Sequence, residues 1–134
     1  MEKDEKKKIL IVDDDMFLLD MYALKFSQNN CDVYTADGGK SALEKLKGGL
    51  QPDVILMDII MPEMDGFEML EKINAEKLSE NSIKIILSNK GQQSDIDRGN
   101  SLGAAGYIVK ANATPAEVIS QVMEILAKKI ISKK

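Results

Sequence analysis

An α/β fold built around a single parallel sheet is predicted by two features of the 134-residue sequence. Short runs rich in Ile, Val and Leu alternate with longer segments of helical periodicity, and glycines mark several of the boundaries. Such runs are typical of strands that are buried on both faces. Five β–α units in succession indicate a parallel sheet with helices on both sides, and the length suits one domain.

The elements are expected to alternate from a first strand to a fifth helix. Strands are predicted at Ile9–Val12, Asp32–Thr35, Val54–Met57, Ile83–Leu87 and Tyr107–Val109. Helices are predicted at Met16–Gln28, Lys40–Lys47, Phe67–Ala75, Ser94–Leu102 and Pro115–Ile130. The last helix has the clearest start, because Thr114 and Glu117 match a capping box. Residues 1–8 and 131–134 are predicted to be solvated, charged tails of one domain at 9–130.

Charge and composition argue against several classes of function. Residues 9–127 carry 10 basic and 19 acidic side chains, a net charge of −9, so direct binding of nucleic acid is not expected. The apolar run Ile9–Val12 is too short for a signal peptide or a membrane span, so membrane insertion is not expected. Cys31 is the only cysteine, which excludes an internal disulfide and suits a cytoplasmic location.

Polar residues follow four of the five predicted strands. The first strand is followed by Asp13–Asp15, the third by Asp58, the fourth by Ser88 and the fifth by Lys110. These ends meet at one edge of a parallel sheet, where ligands bind in such folds. Two carboxylates 4 Å apart repel each other by roughly 4 kcal/mol at an effective dielectric constant of 20, so the cluster requires a cation, protons or both. Carboxylate oxygens at an open edge suit Mg²⁺, whereas the lack of histidine disfavours zinc.

This set of side chains suits phosphoryl transfer. A carboxylate beside Mg²⁺ is a candidate nucleophile toward phosphorus, and the reaction depends on positioning and charge neutralisation. Lys110 and Ser88 could each contact a phosphoryl oxygen. Taken singly, each residue has an ordinary alternative, such as a helix cap for the three acids or a solvated surface position for Lys110. Their occurrence together at matching strand ends favours the functional interpretation.

The sequence resembles the receiver domains of two-component response regulators over nearly its whole length. The resemblance is carried by Ile9–Asp15, Asp58–Gly66, Ser88 and Gly103–Lys110. It implies a flavodoxin-like, doubly wound (βα)5 fold with a five-stranded parallel sheet in the order 2-1-3-4-5. It also suggests a single-domain, chemotaxis-type member of the family.

The resemblance implies a role for each matching residue. The implied catalytic residues are Asp58, which accepts the phosphoryl group, Ser88 and Lys110. The implied Mg²⁺ ligands are Asp13, Asp14, Asp58 and the backbone carbonyl of Ile60. Ser88 and Tyr107 are the implied switch pair, in which Ser88 moves toward the phosphoryl group and Tyr107 turns inward.

Several positions differ from the family's usual pattern or vary within it. Ala111 follows Lys110 where the family usually has proline, and Asn89 follows Ser88 where alanine is usual. Ile60, Asn89 and Lys90 are expected to tune the dephosphorylation rate. The bulky Ile60 is expected to hinder an attacking water and so to prolong the life of the phosphate.

The partners follow from the same resemblance. The chain contains no histidine, so the expected donor is a histidine kinase or a phosphotransfer protein. The expected output is a change in the surface of the fourth helix, fifth strand and fifth helix, recognised by a downstream target protein. Gly99, Asn100 and Ser101 are poor helix formers and mark the fourth helix as an element of low stability. The protein is expected to catalyse its own phosphorylation and dephosphorylation rather than to be a conventional turnover enzyme.

Three alternatives stay open. A pseudo-receiver of the same fold would bind partners without phosphate, although the complete set of acids, Ser88 and Lys110 argues against it. A Mg²⁺-dependent phosphohydrolase would usually have a second acid close to the nucleophile, where this chain has Ile60. A flavin-binding module is less favoured, since the first turn carries acids rather than a phosphate-binding loop. Met61 and Met64 flank the loop that follows Asp58 and are expected to be exposed.

Overall fold

The protein forms a five-stranded parallel sheet covered by helices on both faces. The computed structural model describes residues 6–132, and their side chains as far as residue 129. The strands are β1 (Lys7–Val12), β2 (Cys31–Ala36), β3 (Val54–Met57), β4 (Ile83–Ser88) and β5 (Gly106–Val109). Their order in the sheet is β2-β1-β3-β4-β5, which confirms the predicted fold class and topology.

In the described residues, four α-helices connect the strands, and a short 3-10 turn and a fifth helix follow β5. The helices are α1 (Met16–Gln28), α2 (Gly39–Lys47), α3 (Gly66–Ala75), α4 (Gln93–Ser101) and α5 (Pro115–Ser132), and the turn is Lys110–Asn112. All five predicted helices are confirmed, with ends that differ by at most two residues. Their starts follow local chemistry: Asp15 accepts hydrogen bonds from the first turn of α1, and Thr114 forms the predicted capping box with Glu117.

The two ends of the chain differ from the sequence-based expectation. Strand β1 begins at Lys7, inside the segment expected to be a tail, and helix α5 continues to Ser132. Lys8 is paired with Asp53 through both the backbone and the Asp53 carboxylate. The outer parts of the expected tails, residues 1–5 and 133–134, lie outside the described residues. None of the helices in the described part combines the length and apolar character that crossing a membrane requires.

The sheet separates two apolar cores, because successive residues of a strand point to opposite faces. Ile9 and Ile11 face the first core, which lies beneath α1 and α5. Leu10 and Val12 face the second core, which lies beneath α2 and α3. Because both faces of the sheet are covered, β1 is buried from Ile9 to Val12. A polar side chain, Asp13, comes directly after this buried run.

The prediction that Met61 and Met64 are exposed was wrong. Met61 is buried within the second core, and Met64 is partly buried against it. A Cβ atom on Gly39 would lie 2.8 Å from the Met64 sulfur, so α2 begins close against this loop. Both methionine side chains therefore pack toward the second core, a use that suits their flexibility.

Candidate functional site

Three acidic side chains meet at the carboxyl edge of the sheet. Asp13 follows β1 and Asp58 follows β3, and the two strands are neighbours. The backbones of Asp13 and Asp58 also continue the hydrogen bonding of the sheet. The Asp13 amide donates to the Ala36 carbonyl, and the Asp58 amide donates to the Val12 carbonyl. One carboxylate oxygen from each of Asp13, Asp14 and Asp58 lies within 4.8 Å of the others. This group could therefore hold a metal ion.

Lys110 joins two of the acids. Its ammonium nitrogen lies 2.8 Å from Asp13 Oδ2 and 2.9 Å from Asp58 Oδ2, and its side chain is only 10% exposed. Burial alone would lower the pKa of Lys110, but the hydrogen bonds and charges of the two acids outweigh burial and raise it. Lys110 is therefore positively charged at neutral pH. The 3-10 turn that starts at Lys110 brings the ammonium to both acids although Ala111 follows it.

The buried acids are also held by backbone amides. Asp58 Oδ1 accepts hydrogen bonds from the amides of Ile59 at 2.6 Å and Ile60 at 3.2 Å. Asp13 Oδ1 accepts one from the Asp15 amide at 2.9 Å. Burial raises the pKa of Asp13, although its hydrogen bond with Lys110 acts in the opposite direction. Asp13 and Asp58 thus present fixed oxygens, whereas Asp14 is exposed to solvent.

A close backbone approach shapes the loop behind Asp58. The Gly66 amide donates to the Ile59 carbonyl at 2.9 Å. A Cβ atom on Gly66 would lie 2.3 Å from the Asp58 carbonyl oxygen, so a larger residue would push the loop away. Helix α3 therefore starts directly against the peptide that carries the central acid.

This arrangement of acids and lysine agrees with the comparison with known families. The family model of the response regulator receiver domain matches residues 9–123. The chain belongs to this family. The receiver domain is 37% identical over 105 residues to the chemotaxis protein CheY of Thermotoga maritima, and the match covers 78% of this chain and 85% of that protein.

Other relatives are longer than this receiver domain. It is 32% identical over 126 residues to PhoP of Bacillus subtilis, an alkaline phosphatase synthesis transcriptional regulatory protein. That match covers 94% of this chain and 51% of PhoP. The chain thus spans about half the length of this curated relative.

Solved structures agree on the fold. A CheY-like receiver domain protein of Methanospirillum hungatei superimposes with a TM-score of 0.85 and 26% identity, covering 96% of this chain and 99% of that one. The chemotaxis protein CheY4 of Vibrio cholerae gives a TM-score of 0.83 at 26% identity, covering 90% and 99%.

The remaining predicted residues of the receiver domain lie along β4, β5 and the loop after β4. Ser88 is fully buried at the end of β4, and its Oγ accepts a hydrogen bond from the Lys90 amide at 3.2 Å. Tyr107 on β5 is half-buried, and its hydroxyl donates to the Lys90 carbonyl. The structure therefore gathers Asp13, Asp14, Asp58 and Lys110 in one cluster. Ser88 and Tyr107 meet instead at Lys90.

The residues expected to tune the phosphate lifetime have different surroundings. Ile60 is 59% exposed, two residues after Asp58. Asn89 is also exposed. The Lys90 ammonium pairs with Asp95 at 3.6 Å. Asp95, which is buried in the first turn of α4, was not among the residues predicted from the sequence. A signal was present, because Gln92 and Asp95 have the spacing of a capping box.

Proposed function

We propose that this receiver domain accepts a phosphoryl group on Asp58 and uses it as a signal. The observation that carries the proposal is the fixed Asp58 carboxylate, 2.9 Å from the Lys110 ammonium and close to two further acids. An oxygen of Asp58 attacks phosphorus and forms an O–P bond, while the P–N bond of a donor phosphohistidine breaks. The electron pair of that bond stays with the imidazole.

The donor atoms of the cluster fit Mg²⁺. Three carboxylates face one ammonium group, and a divalent cation would offset the remaining negative charge. The oxygens of Asp13, Asp14, Asp58 and the Ile60 carbonyl would hold it. Hard oxygen ligands at a partly open site favour Mg²⁺ over softer metals. When bound, Mg²⁺ supplies neutralisation of charge on the transferring phosphoryl group.

The other residues act around the acceptor. Lys110 neutralises one phosphoryl oxygen. The Ser88 hydroxyl leaves its hydrogen bond with the Lys90 amide and donates a hydrogen bond to another phosphoryl oxygen. Tyr107 responds to the movement of Ser88 and alters the surface of α4, β5 and α5. Ile60 shields the acyl phosphate from water, since its side chain is exposed and its amide donates to Asp58 Oδ1. Asn89 and Lys90 contribute to the same lifetime.

The partners of the proposed cycle are proteins. A histidine kinase or a phosphotransfer protein supplies the phosphoryl group, and a downstream target recognises the altered surface. The negative charge of residues 9–127 disfavours contact with nucleic acid. A cytoplasmic location accompanies this proposal. The domain predicted at 9–130 would extend at both ends to include all of β1 and α5.

Acetyl phosphate provides the direct test. With Mg²⁺, the wild-type protein should shift on a phosphate-affinity gel, and chelation of Mg²⁺ should abolish the shift. Asp58→Asn should show no shift, because an amide is a far weaker nucleophile than a carboxylate. Asp20→Asn, an exposed acid on α1, is the matched control and should behave as wild type. The half-life of the wild-type phosphate should shorten in Ile60→Asn, and an unchanged half-life would contradict the shielding role.

The same experiment separates the alternatives. If the gel mobility of the wild-type protein never changes with acetyl phosphate, the result would favour a pseudo-receiver. Steady turnover of a small phosphate ester, lost in Asp58→Asn, would favour a phosphohydrolase. A shift that persists in Asp58→Asn would place the acceptor elsewhere.

A further inference from the structure

Lys90 is connected to three different parts of the receiver domain. Its amide donates to Ser88 Oγ at the end of β4, and its carbonyl accepts from the Tyr107 hydroxyl on β5. Its ammonium pairs with Asp95 on α4. The two side chains of the implied switch therefore meet on the backbone of one residue, whose side chain reaches a third element.

Asp95 is well placed to control Lys90. Its side chain is 11% exposed, whereas that of Lys90 is 47% exposed, so the acid is the fixed partner of the pair. Its second oxygen accepts the Gln92 amide at 3.2 Å, as part of the capping box of α4. Asp95 thus ties both the loop after β4 and the first turn of α4 to the same carboxylate.

The charge of Asp95 acts on the phenol of Tyr107. Burial raises the pKa of Tyr107 to about 12, and the negative charges of Asp95 and Asp58 add to that effect. The Tyr107 ring also lies against α4, where a Cβ atom on Gly99 would be 3.3 Å from the ring. The helix, the tyrosine and the loop after β4 therefore form one contact region.

We infer that Asp95 is a positioning residue of the switch, which holds Lys90 so that a displacement of Ser88 is passed on to Tyr107 and α4. When Ser88 turns to a phosphoryl oxygen, the Lys90 amide loses its acceptor, and the loop must rearrange. With the Asp95 ion pair intact, Lys90 and the first turn of α4 move together. Without it, Lys90 can adjust alone, and α4 keeps its resting position.

The inference deepens the proposed function and rests on it, so the test needs two readouts. Beryllofluoride with Mg²⁺ serves as the probe of the phosphorylated state, followed by NMR. The amide signal of Asp58 reports binding at the acceptor. The amides of Ile96 and Gly99 and the ring signals of Tyr107 report transmission.

Asp95→Asn keeps an acceptor for the Gln92 amide but removes the charge that holds Lys90. Wild type should show shifts in both groups of signals. In Asp95→Asn, half-saturation at Asp58 should change by less than about threefold, while the shifts at α4 and Tyr107 fall by at least about half. A merely structural role for Asp95 would not separate the two readouts in this way.

Further variants test whether a loss of transmission in Asp95→Asn comes only from damage to helix α4. Lys90→Gln breaks the same pair and leaves the α4 cap untouched, so it should lose transmission as Asp95→Asn does. The double variant should lose no more than either single one. Lys47→Gln, which breaks an ion pair of 3.3 Å between α2 and the end of α3, is the matched control and should keep both readouts.

The possible failures are distinguishable. Absence of any Asp58 shift in wild type would overturn the proposed function. Full α4 and Tyr107 shifts in Lys90→Gln, with normal binding at Asp58, would overturn the role of Asp95 and leave the phosphoacceptor intact. If Asp95→Asn unfolds α4, the result for Lys90→Gln decides.

Discussion

Helices α4 and α5 flank the same strand, β5, but they are attached to the domain by different forces. In α5 (Pro115–Ser132), four apolar residues are buried in the first core among the side chains described, 115–129: Val118, Ile119, Val122 and Leu126. In α4, which has 9 residues and is described in full, the only buried residues are Asp95 and Gly99. The position of α5 is therefore set by apolar packing, whereas α4 depends on polar and close-range contacts.

The polar contacts of α4 are individually weak. Arg98 lies 4.4 Å above the centre of the Phe67 ring and pairs with Glu71 at 3.6 Å. Asn74 donates to the Leu102 carbonyl just beyond the helix. A cation–π contact at a surface contributes about 0.5–1 kcal/mol, and an exposed ion pair about 1 kcal/mol or less. A helix held in this way can change position at low energetic cost, while α5 and the cores stay in place.

The largest expected difference between the helices is in their response to truncation. Leu126→Ala in α5 should lower the free energy of unfolding by about 3 kcal/mol, because it leaves a cavity in the first core. Ile96→Ala in α4 should lower it by about 1 kcal/mol, because Ile96 is only partly buried. Urea denaturation of both variants measures the difference. Equal losses would refute the contrast between the two attachments.

A second variant sharpens the comparison by crowding α4. A Cβ atom at position 99 would lie 2.7 Å from Ile86 Cδ1, so Gly99→Ala forces buried Ile86 or the Tyr107 ring to move. Overpacking should outweigh the gain of about 1 kcal/mol in helix propensity and give a net loss of about 1 kcal/mol. Urea denaturation measures this loss, and the ring signals of Tyr107 should shift.

Asn100→Ala is the control for Gly99→Ala, since it improves propensity at the next, exposed position. It should raise stability by about 0.5 kcal/mol and leave the Tyr107 ring signals unchanged. If Gly99→Ala instead raised the free energy of unfolding and left the Tyr107 ring signals unchanged, α4 would be able to move away from Ile86 and Tyr107 without cost.

The smallest expected effect is on pH dependence, because solvent screens the half-buried phenol of Tyr107. Its pKa is raised from 10.0 to about 12, so the phenol stays protonated in the folded state while it ionises in the unfolded chain. The stability linked to Tyr107 is therefore present below pH 10 and lost as pH rises through about 12. Unfolding of Tyr107→Phe should depend less on pH in this range. An identical dependence would argue against a shielded phenol.

The contrast between the strands and α4 also shows which parts of the molecule the sequence could predict. The strands and the acids at their ends follow from hydrophobic periodicity and from the rule that parallel strands share a carboxyl edge. Asp13, Asp14, Asp58 and Lys110 could therefore be grouped from the order of residues along the chain. The role of each residue in phosphorylation came from the resemblance and stays a proposal.

Contacts between distant segments were harder to predict. Asp95 was missed because an acid in the first turn of a helix usually serves the helix dipole, and nothing local indicates that Lys90 returns to it. Met61 was expected at the surface because it flanks the loop after Asp58, but its burial depends on how that loop packs over the second core. Such features arise from tertiary packing rather than from local pattern.

The pairing of β1 with β3 sets the separation of Asp13 and Asp58 in the acidic cluster. Asp13 and Asp58 are anchored by amides that extend the ladder of β1 and β3, and neighbouring strands are about 4.8 Å apart. That spacing is comparable to the 4.8 Å within which the three carboxylate oxygens fall. The separation of the Asp13 and Asp58 carboxylates is thus fixed by strand pairing, whereas Asp14 lies exposed in the turn after β1. Two of the three acids are therefore ordered by the sheet itself, so the proposed binding of a cation would require ordering of Asp14 alone among them.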